Sequence, residues 1–169
     1  MKNDFVMPVL VLALVCLVMS GALAVGNGIT RPIIESAAAD RSEKAMKDII
    51  PQADAFIRIE GRGFPKTITE AYKTGNDTGY IFKISTLGYD GYIDIICGIG
   101  PDGKIIKSIT LAHTETKGLG TAVIDREGQY AGKGADLDGI SAVSGATITS
   151  DAYLRGIRDA FAAYEMVAK

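Results

Sequence analysis

The sequence is poor in the side chains that bind metals. Its 169 residues include one histidine, His113, two cysteines, Cys16 and Cys97, and no tryptophan. Zinc, haem and iron–sulfur sites usually need more imidazole or thiolate ligands than this chain offers, and two cysteines cannot form a disulfide framework. We therefore expect no metal site and no disulfide. A redox cofactor held by this chain would be organic.

The chain also lacks an excess of basic charge. Its 18 lysines and arginines are offset by 20 aspartates and glutamates, so the net charge is −2. Proteins that bind nucleic acid usually carry a basic surface that neutralises phosphates. Nucleic acid is therefore not an expected partner.

Charged residues are absent between Asp4 and Arg31. The apolar run from Phe5 to Val25 has about 21 residues and would span roughly 30 Å as a helix, which is the thickness of the hydrocarbon core of a bilayer. We therefore predict one transmembrane helix, within an anchor segment over residues 1–30.

A cleaved signal peptide is the alternative interpretation of this segment. Ala22-Leu23-Ala24 resembles a cleavage site, but the apolar run is longer than a usual signal segment, which favours a retained anchor. Lys2 is the one positive charge before the run. By the positive-inside rule it predicts a cytoplasmic N-terminus, a single pass through the cell membrane and an extracytoplasmic domain.

The residues after the anchor are enough for one domain with a single core. Pro32 can begin a helix at its first turn, and Pro51 opposes continuation of that helix. We predict a linker helix over residues 31–51 and an extracytoplasmic domain over residues 52–169.

The strongest β-strand signal lies between Gly79 and His113. Three runs rich in Ile, Tyr, Phe and Thr are separated there by Gly88 to Gly91 and by Pro101-Asp102-Gly103, which are turn sequences. This pattern predicts an antiparallel meander. Two shorter strands are expected before it, at Ile57 to Ile59 and around Thr67 to Tyr72, with Gly61, Gly63 and Pro65 between them.

A C-terminal amphipathic helix is predicted after Thr149 and Ser150, two residues suited to the N-cap position. Its apolar face has helical spacing and comprises Tyr153, Ile157, Ala160, Phe161, Tyr164 and Val167. A meander with helices at both ends predicts an α+β fold, an antiparallel sheet flanked by helices and preceded by the transmembrane helix.

Two familiar motifs are incomplete. Gly98 to Gly103 has the spacing GxGxxG, but a strand-like segment follows it where a dinucleotide site needs a helix, so we interpret it as a hairpin turn. Ser144 and His113 are potential partners in a hydrolase, yet alanines occupy the glycine positions of a nucleophile elbow around Ser144. No residue is assigned as catalytic.

Two other segments have features of a ligand site. The run Ser144 to Ser150 stands before the last helix, where free N–H groups and the helix dipole favour a phosphate. The segment His113 to Gly120 contains a Gly-x-Gly loop that lets a planar ligand approach the backbone. Taken singly, neither segment is decisive, because turn and capping residues are the commoner interpretation of the first, and the second can be an ordinary loop after a strand.

The two segments together resemble the FMN-binding domain family. The resemblance rests on the order of the anchor, the hairpin PDGK, the loop ETKGLG, the segment DGISAVSGATITS and a final helix. Within the family, the chain resembles the G subunits of Rnf-type complexes, which are membrane-bound ferredoxin:NAD⁺ oxidoreductases. The C subunit of the sodium-translocating NADH:quinone reductase is related.

The resemblance implies one covalent FMN, joined through a phosphoester bond to the threonine that closes SGAT, here Thr147. A separate magnesium-dependent flavin transferase would install it from FAD. The resemblance, with the chemistry of the side chains, implies a larger set of cofactor-binding residues beside Thr147: Ser144, Gly145, Ala146, Thr149, Ser150, Glu115, Thr116, Gly118 and Leu119. Lys117 stands where relatives often have proline, and it would place a positive charge near the flavin.

The implied function is electron transfer rather than catalysis by this chain alone. Other Rnf-type membrane subunits would carry further flavins and the iron–sulfur clusters, and the complex would couple electron transfer to export of Na⁺ or H⁺. Two alternatives stay open: a covalent-FMN subunit of a related chain, such as the quinone reductase or an extracytoplasmic reductase, or a membrane-tethered ectodomain without a redox cofactor.

Overall fold

The computed structural model describes residues 3–60 and 63–168. Two residues used in the predictions lie outside them: Gly61, expected in a turn, and Lys2, on which the predicted membrane orientation rests. The chain is α+β, as predicted. Its elements are α1 (Asn3–Ile49), β1 (Phe56–Ile59), β2 (Ile68–Thr74), β3 (Tyr80–Leu87), β4 (Tyr92–Ile99), β5 (Ile105–Ala112), α2 (Gly120–Ile124), a 3₁₀ helix (Glu127–Tyr130) and α3 (Thr147–Val167).

The chain divides into two compact units, Met1–Asp40 and Arg41–Lys169, and α1 runs through the division. The apolar part of α1 is long enough to cross a membrane, and the side chains of residues 6–40 are exposed. Pro32 lies inside this helix, so the prediction that it begins a new helix is wrong.

Two side-chain interactions lie beside Pro32 in the continuous helix. The Thr30 hydroxyl donates to the Gly26 carbonyl, and Arg31 forms an ion pair with Glu35 one turn further on. A proline inside a helix removes one backbone hydrogen bond, here the one to the Gly28 carbonyl, and neither of these interactions replaces it. The helix ends at Ile49, just before Pro51, as expected.

The five strands form one antiparallel sheet in the order β1-β2-β3-β4-β5. The predicted meander is therefore confirmed, and so are the two shorter strands before it. β3 pairs with β4 in continuous register from Tyr80–Ile99 to Leu87–Tyr92. This pairing places the turn Gly88 to Gly91 at one end of the sheet, beside the start of the functional loops described below.

One face of the sheet packs against α3. Successive residues of a strand point to opposite faces, and on this face Phe82 and Ile95 are buried in one cluster with Ile157 of α3. The predicted apolar face of α3 is confirmed, because Tyr153, Ile157, Ala160 and Phe161 are buried while Tyr164 and Val167 pack at the margin. Gly156 allows close contact, since a Cβ there would lie 2.9 Å from Ile84 Cγ2.

The other face is covered by the last turns of α1, within the second compact unit. Met46 and Ile49 form a separate buried cluster there with Ile81 and Ile96. Gly98 makes this contact possible, because a Cβ at that position would overlap Ile49 Cγ2. The sheet is therefore covered on both faces, and its β4 strand is almost wholly buried.

Both cysteines are free, as expected. Cys97 is buried in β4, and burial raises the pKa of its thiol to about 12. Because the thiolate is the reactive form of cysteine, Cys97 acts as a small apolar residue of the core.

We expect Gly98→Ala to destabilise the domain by about 1–3 kcal/mol, the usual effect of overpacking a filled core. The added methyl group would push Ile49 off the sheet. Urea unfolding of the full chain, followed by circular dichroism, measures this free energy. Gly128→Ala is the matched control, since a Cβ there meets nothing within 4 Å. Equal stability of the two variants would contradict the packing of α1 described here.

Candidate functional site

A cleft of about 480 Å³ lies where three connecting segments meet at the end of the sheet. Its volume is in the range of small-molecule sites. The segments are the β3–β4 turn, the loop from β5 to α2, and the start of α3. The residues that line the cleft are Tyr89, Glu115, Thr116, Leu119, Gly120, Gly145, Ala146, Thr147, Ile148 and Thr149.

Helix α3 begins at Thr147 and already includes Thr149 and Ser150, after which its start was predicted. Ala146 occupies the N-cap position, and no side chain forms a capping hydrogen bond. The prediction that Thr149 and Ser150 are N-caps is therefore wrong. The N–H of Ser150 donates to the Ala146 carbonyl at 2.9 Å, so it is not among the N–H groups free for a phosphate, contrary to expectation.

The first N–H groups of a helix have no acceptor within the helix. Here these groups belong to Thr147, Ile148 and Thr149, all three of which line the cleft. Such a helix start has partial positive charge and favours an anion. The free donors thus lie at the residue predicted to carry the cofactor.

The side chains of Thr149 and Ser150 turn into the protein instead of capping the helix. The Thr149 hydroxyl donates to Glu115 Oε2 at 2.6 Å, and Ser150 Oγ accepts from the N–H of Val143 at 3.1 Å. Both residues are buried, with 2% and 7% of their surface exposed. Their hydroxyls are thus occupied by structural hydrogen bonds.

Glu115 connects all three segments of the cleft. Its Oε1 accepts from the N–H groups of Tyr89 at 2.8 Å and of Asp90 at 3.3 Å, while Oε2 accepts from Thr149. The residue is 5% exposed, and a buried carboxylate needs such donors to offset its loss of hydration. The three hydrogen bonds hold the β3–β4 turn and the first turn of α3 at fixed positions.

Two glycines make room for the Glu115 side chain. A Cβ at Gly88 would overlap Glu115 Oε1, and a Cβ at Gly120 would lie 2.7 Å from Glu115 Oε2. The carboxylate thus fits between the turn and the loop because neither has a side chain there. The two glycines of GLG in the predicted loop therefore have different roles. Gly120 leaves space for Glu115, whereas Gly118 adopts a φ of +85°, which favours glycine.

Gly145 gives the backbone the conformation that precedes α3. Its φ is +83°, and a Cβ there would lie 3.3 Å from Leu119 Cδ2. A side chain at this position would be strained and would crowd Leu119. The small residue therefore brings the loop with Leu119 against the segment that leads to Thr147.

Thr147 differs from the other hydroxyl residues of the helix start. Its side chain is exposed, and within the described part of the chain it takes part in no side-chain hydrogen bond. It also occupies the first position of α3. An accessible hydroxyl thus stands directly at the positive end of the helix.

The structure brings most of the predicted site residues into the cleft: Gly145, Ala146, Thr147, Thr149, Glu115, Thr116 and Leu119. Ser144, Ser150 and Gly118 do not line it. Gly118 supports the loop, because its N–H donates to Thr121 Oγ1 at 2.9 Å. His113 is exposed just after β5.

Three residues of the cleft were missed from the sequence: Tyr89, Gly120 and Ile148. Gly120 lies in ETKGLG and Ile148 in SGATITS, so both could have been predicted to line the cleft from their place in these motifs. Tyr89 lies in what the sequence shows only as a hairpin turn. Its position in the cleft depends on the hydrogen bonds from this turn to Glu115.

The comparisons with known proteins agree with this geometry. Residues 88–162 match the family model of the FMN-binding domain, and this range contains every residue that lines the cleft. This stretch of the chain is therefore similar to the FMN-binding domain, and the cleft lies within it.

Curated relatives indicate a more particular similarity, which extends over most of the chain. The chain is 29% identical over 161 residues to the G subunit of the proton-translocating ferredoxin:NAD(+) oxidoreductase complex of Clostridium ljungdahlii, covering 88% of this chain and 85% of the relative. It is 27% identical over 189 residues to the G subunit of the Na(+)-translocating ferredoxin:NAD(+) oxidoreductase complex of Acetobacterium woodii, covering 95% and 91%. The G subunit of the ion-translocating oxidoreductase complex of Methanosarcina acetivorans is 28% identical over 173 residues, covering 90% of each chain. The resemblance to Rnf-type G subunits is thus confirmed.

We expect Glu115→Ala to lower the free energy of unfolding by about 1–3 kcal/mol, since it removes the acceptor of three hydrogen bonds at a buried position. Glu115→Gln should lose less, because one amide oxygen can still accept from the β3–β4 turn. Urea unfolding measures both effects, and Glu165→Ala, at an exposed position of α3, is the control. If Glu115→Ala were as stable as this control, the carboxylate would not hold the cleft together.

Proposed function

We propose that this protein is the FMN-carrying electron-transfer subunit of a membrane-bound, ion-translocating ferredoxin:NAD⁺ oxidoreductase. In this proposal FMN is joined to Thr147 through a phosphoester bond. The FMN-binding domain and the named G-subunit relatives support the electron-transfer role. The apolar part of α1, long enough to cross a bilayer, is consistent with a subunit of a membrane complex.

The observation that carries the proposal is the position of the Thr147 hydroxyl. It is exposed, lies in the cleft and stands at the first residue of α3. Formation of the ester needs a hydroxyl that a transferase can reach. The Thr147 side chain meets this requirement and has the free N–H groups of the helix start beside it.

The neighbouring hydroxyls meet the requirement less well. Thr149 is buried and donates to Glu115, so esterification there would break a buried hydrogen bond and open the first turn of the helix. Ser150 is buried as well. Thr116 is exposed in the cleft, but it lies on the loop and not at the helix start. Thr147 combines access with a place for the phosphate charge.

The cleft has residues suited to both the phosphate group and the flat ring of FMN. A phosphodiester keeps one negative charge, which the N–H groups of Thr147 to Thr149 and the helix dipole of about +0.5 charge can stabilise. Leu119 and Ile148 offer apolar surface to a flat ring, with 50% and 57% of their surface exposed. When bound, FMN supplies the redox chemistry, while the protein supplies position and electrostatics.

Attachment requires a second protein. A magnesium-dependent flavin transferase would use FAD: the Thr147 oxygen forms a bond to the FMN phosphorus, the pyrophosphate bond breaks, and AMP and the hydroxyl proton leave. Covalent attachment suits an extracytoplasmic domain, because lost FMN is not easily replaced there. The donor and acceptor of electrons would be neighbouring subunits with flavins and iron–sulfur clusters, and the exported ion is either Na⁺ or H⁺.

The proposal predicts that Thr147→Ala abolishes covalent flavin while the fold is retained. The full chain is produced in a host with a flavin transferase and examined by intact-mass measurement and by flavin fluorescence on a denaturing gel. The unsubstituted chain should show the added mass of one FMN and a fluorescent band, and Thr147→Ala should show neither.

Two matched variants test the choice of residue. Thr116→Ala removes another exposed hydroxyl of the cleft, and Thr149→Val removes the buried hydroxyl of the same helix turn; both should keep the fluorescent band. A flavin that persists in Thr147→Ala, or disappears in Thr149→Val with the fold intact, would move the attachment site. Absence of any flavin from the unsubstituted chain of the native organism would refute the electron-transfer function.

A further inference from the structure

The cleft contains an aromatic side chain with no role in the core. Tyr89 lies in the β3–β4 turn, lines the cleft and has 68% of its surface exposed. Large aromatic side chains are usually covered, because burying them contributes much of the stability of cores and interfaces. An exposed ring at the edge of a ligand cleft therefore has apolar surface available to a bound molecule.

The backbone that carries Tyr89 is held on several sides. Its own N–H and that of Asp90 donate to Glu115 Oε1 at 2.8 and 3.3 Å, and the Thr114 hydroxyl donates to the Asp90 carbonyl at 3.0 Å. On the other side, Arg155 Nη2 donates to the Leu87 carbonyl at 3.0 Å. The turn is thus tied to the loop and to α3, while the ring itself is left exposed.

This arrangement differs from that of an ordinary hairpin turn. A turn needs one closing hydrogen bond, here from the N–H of Gly88 to the Gly91 carbonyl at 2.8 Å. The additional bonds come from side chains far away in the sequence and fix where the Tyr89 Cα lies relative to α3. Because the backbone is already held, a planar ligand that binds to the ring has to order only the Tyr89 side chain, which has few rotatable bonds.

Tyr89, Leu119 and Ile148 are the large apolar residues of the cleft that are at least half exposed. They come from the three different segments, and Ile148 follows the residue proposed to carry FMN. A ligand attached at Thr147 would therefore have apolar contacts available on each of the three sides. The isoalloxazine ring of FMN is large, flat and apolar enough to use them.

We propose that the Tyr89 side chain stacks against the isoalloxazine ring of FMN and holds it in the cleft. The inference rests on the proposed function, because it concerns the same flavin. Glu115 acts through Tyr89 as a positioning residue: it fixes the turn and does not need to contact the flavin. Tyr89 would thus contribute a ring-binding side chain from the β3–β4 turn, outside the motifs ETKGLG and SGAT.

Stacking of a phenol on a flavin has an optical consequence. On excitation, an electron passes from the phenol to the isoalloxazine ring and then returns, so both groups are unchanged and the fluorescence is quenched. A phenylalanine ring stacks similarly but donates an electron far less readily. The fluorescence of the folded protein therefore reports contact with the phenol, independently of any electron-transfer activity.

The test compares three variants of the full, flavin-loaded chain in detergent. Tyr89→Leu removes the ring, Tyr89→Phe keeps a ring without the hydroxyl, and Tyr92→Leu is the matched control, an exposed tyrosine (62%) outside the cleft. For each, native flavin emission is divided by the emission of the same sample after denaturation, which corrects for the amount of flavin attached.

We expect Tyr89→Leu and Tyr89→Phe to raise this emission ratio severalfold and Tyr92→Leu to leave it unchanged. Quenching of native emission by added iodide separates the two Tyr89 variants: Tyr89→Leu should admit iodide and Tyr89→Phe should not. An aromatic contact of typical strength shifts a stacked population by roughly 2- to 10-fold, which sets the size of the expected difference in iodide access between the two variants.

The inference is overturned if Tyr89→Leu has the emission ratio and iodide access of Tyr92→Leu while all variants carry one flavin. If the unsubstituted chain carries no flavin after co-production with the transferase, the proposed function fails first. Denatured emission and intact mass distinguish these two outcomes, since both report attachment without reference to Tyr89.

Discussion

One buried carboxylate determines the geometry of the functional end of this protein. Glu115 accepts hydrogen bonds from the β3–β4 turn and from the first turn of α3, although it belongs to neither. Each of these segments is stable only if its donors are satisfied, and a buried charge is tolerated only if it has donors. The cleft is therefore a consequence of this mutual requirement. Gly88 and Gly120 leave the space that the Glu115 carboxylate occupies, because a Cβ at either position would collide with it.

The same interaction separates two threonines that look equivalent in the sequence. Thr147 and Thr149 lie in one turn of α3, but helical geometry points them in different directions. Glu115 draws Thr149 inward and leaves Thr147 at the surface. A difference of two positions thus separates a structural hydroxyl from an accessible one, which is the selectivity that covalent attachment at one residue needs.

The fold was largely predictable because its signals are local. Isoleucine-rich runs between Gly and Pro-Asp-Gly turns indicate a meander, and the sheet follows that pattern. Two of the errors concern residues whose partner is distant in the sequence: Thr149 donates to Glu115 instead of capping α3, and Tyr89 is held by its N–H bond to the same residue. The prediction that a helix begins at Pro32 was wrong because proline is tolerated at the start of a helix but does not require a helix to start there. Motifs identified the region of the site, but they did not identify which side chains face it.

The start of α3 has no side-chain cap, and this has a thermodynamic consequence. A helix that lacks a capping side chain is less stable by about 0.5–2 kcal/mol than one that has it. At this end of α3 the missing acceptor would be replaced by a phosphate oxygen once a flavin is attached. The prosthetic group would then stabilise the first turn of the helix that holds it, so that attachment of the flavin would also make the folded domain more stable.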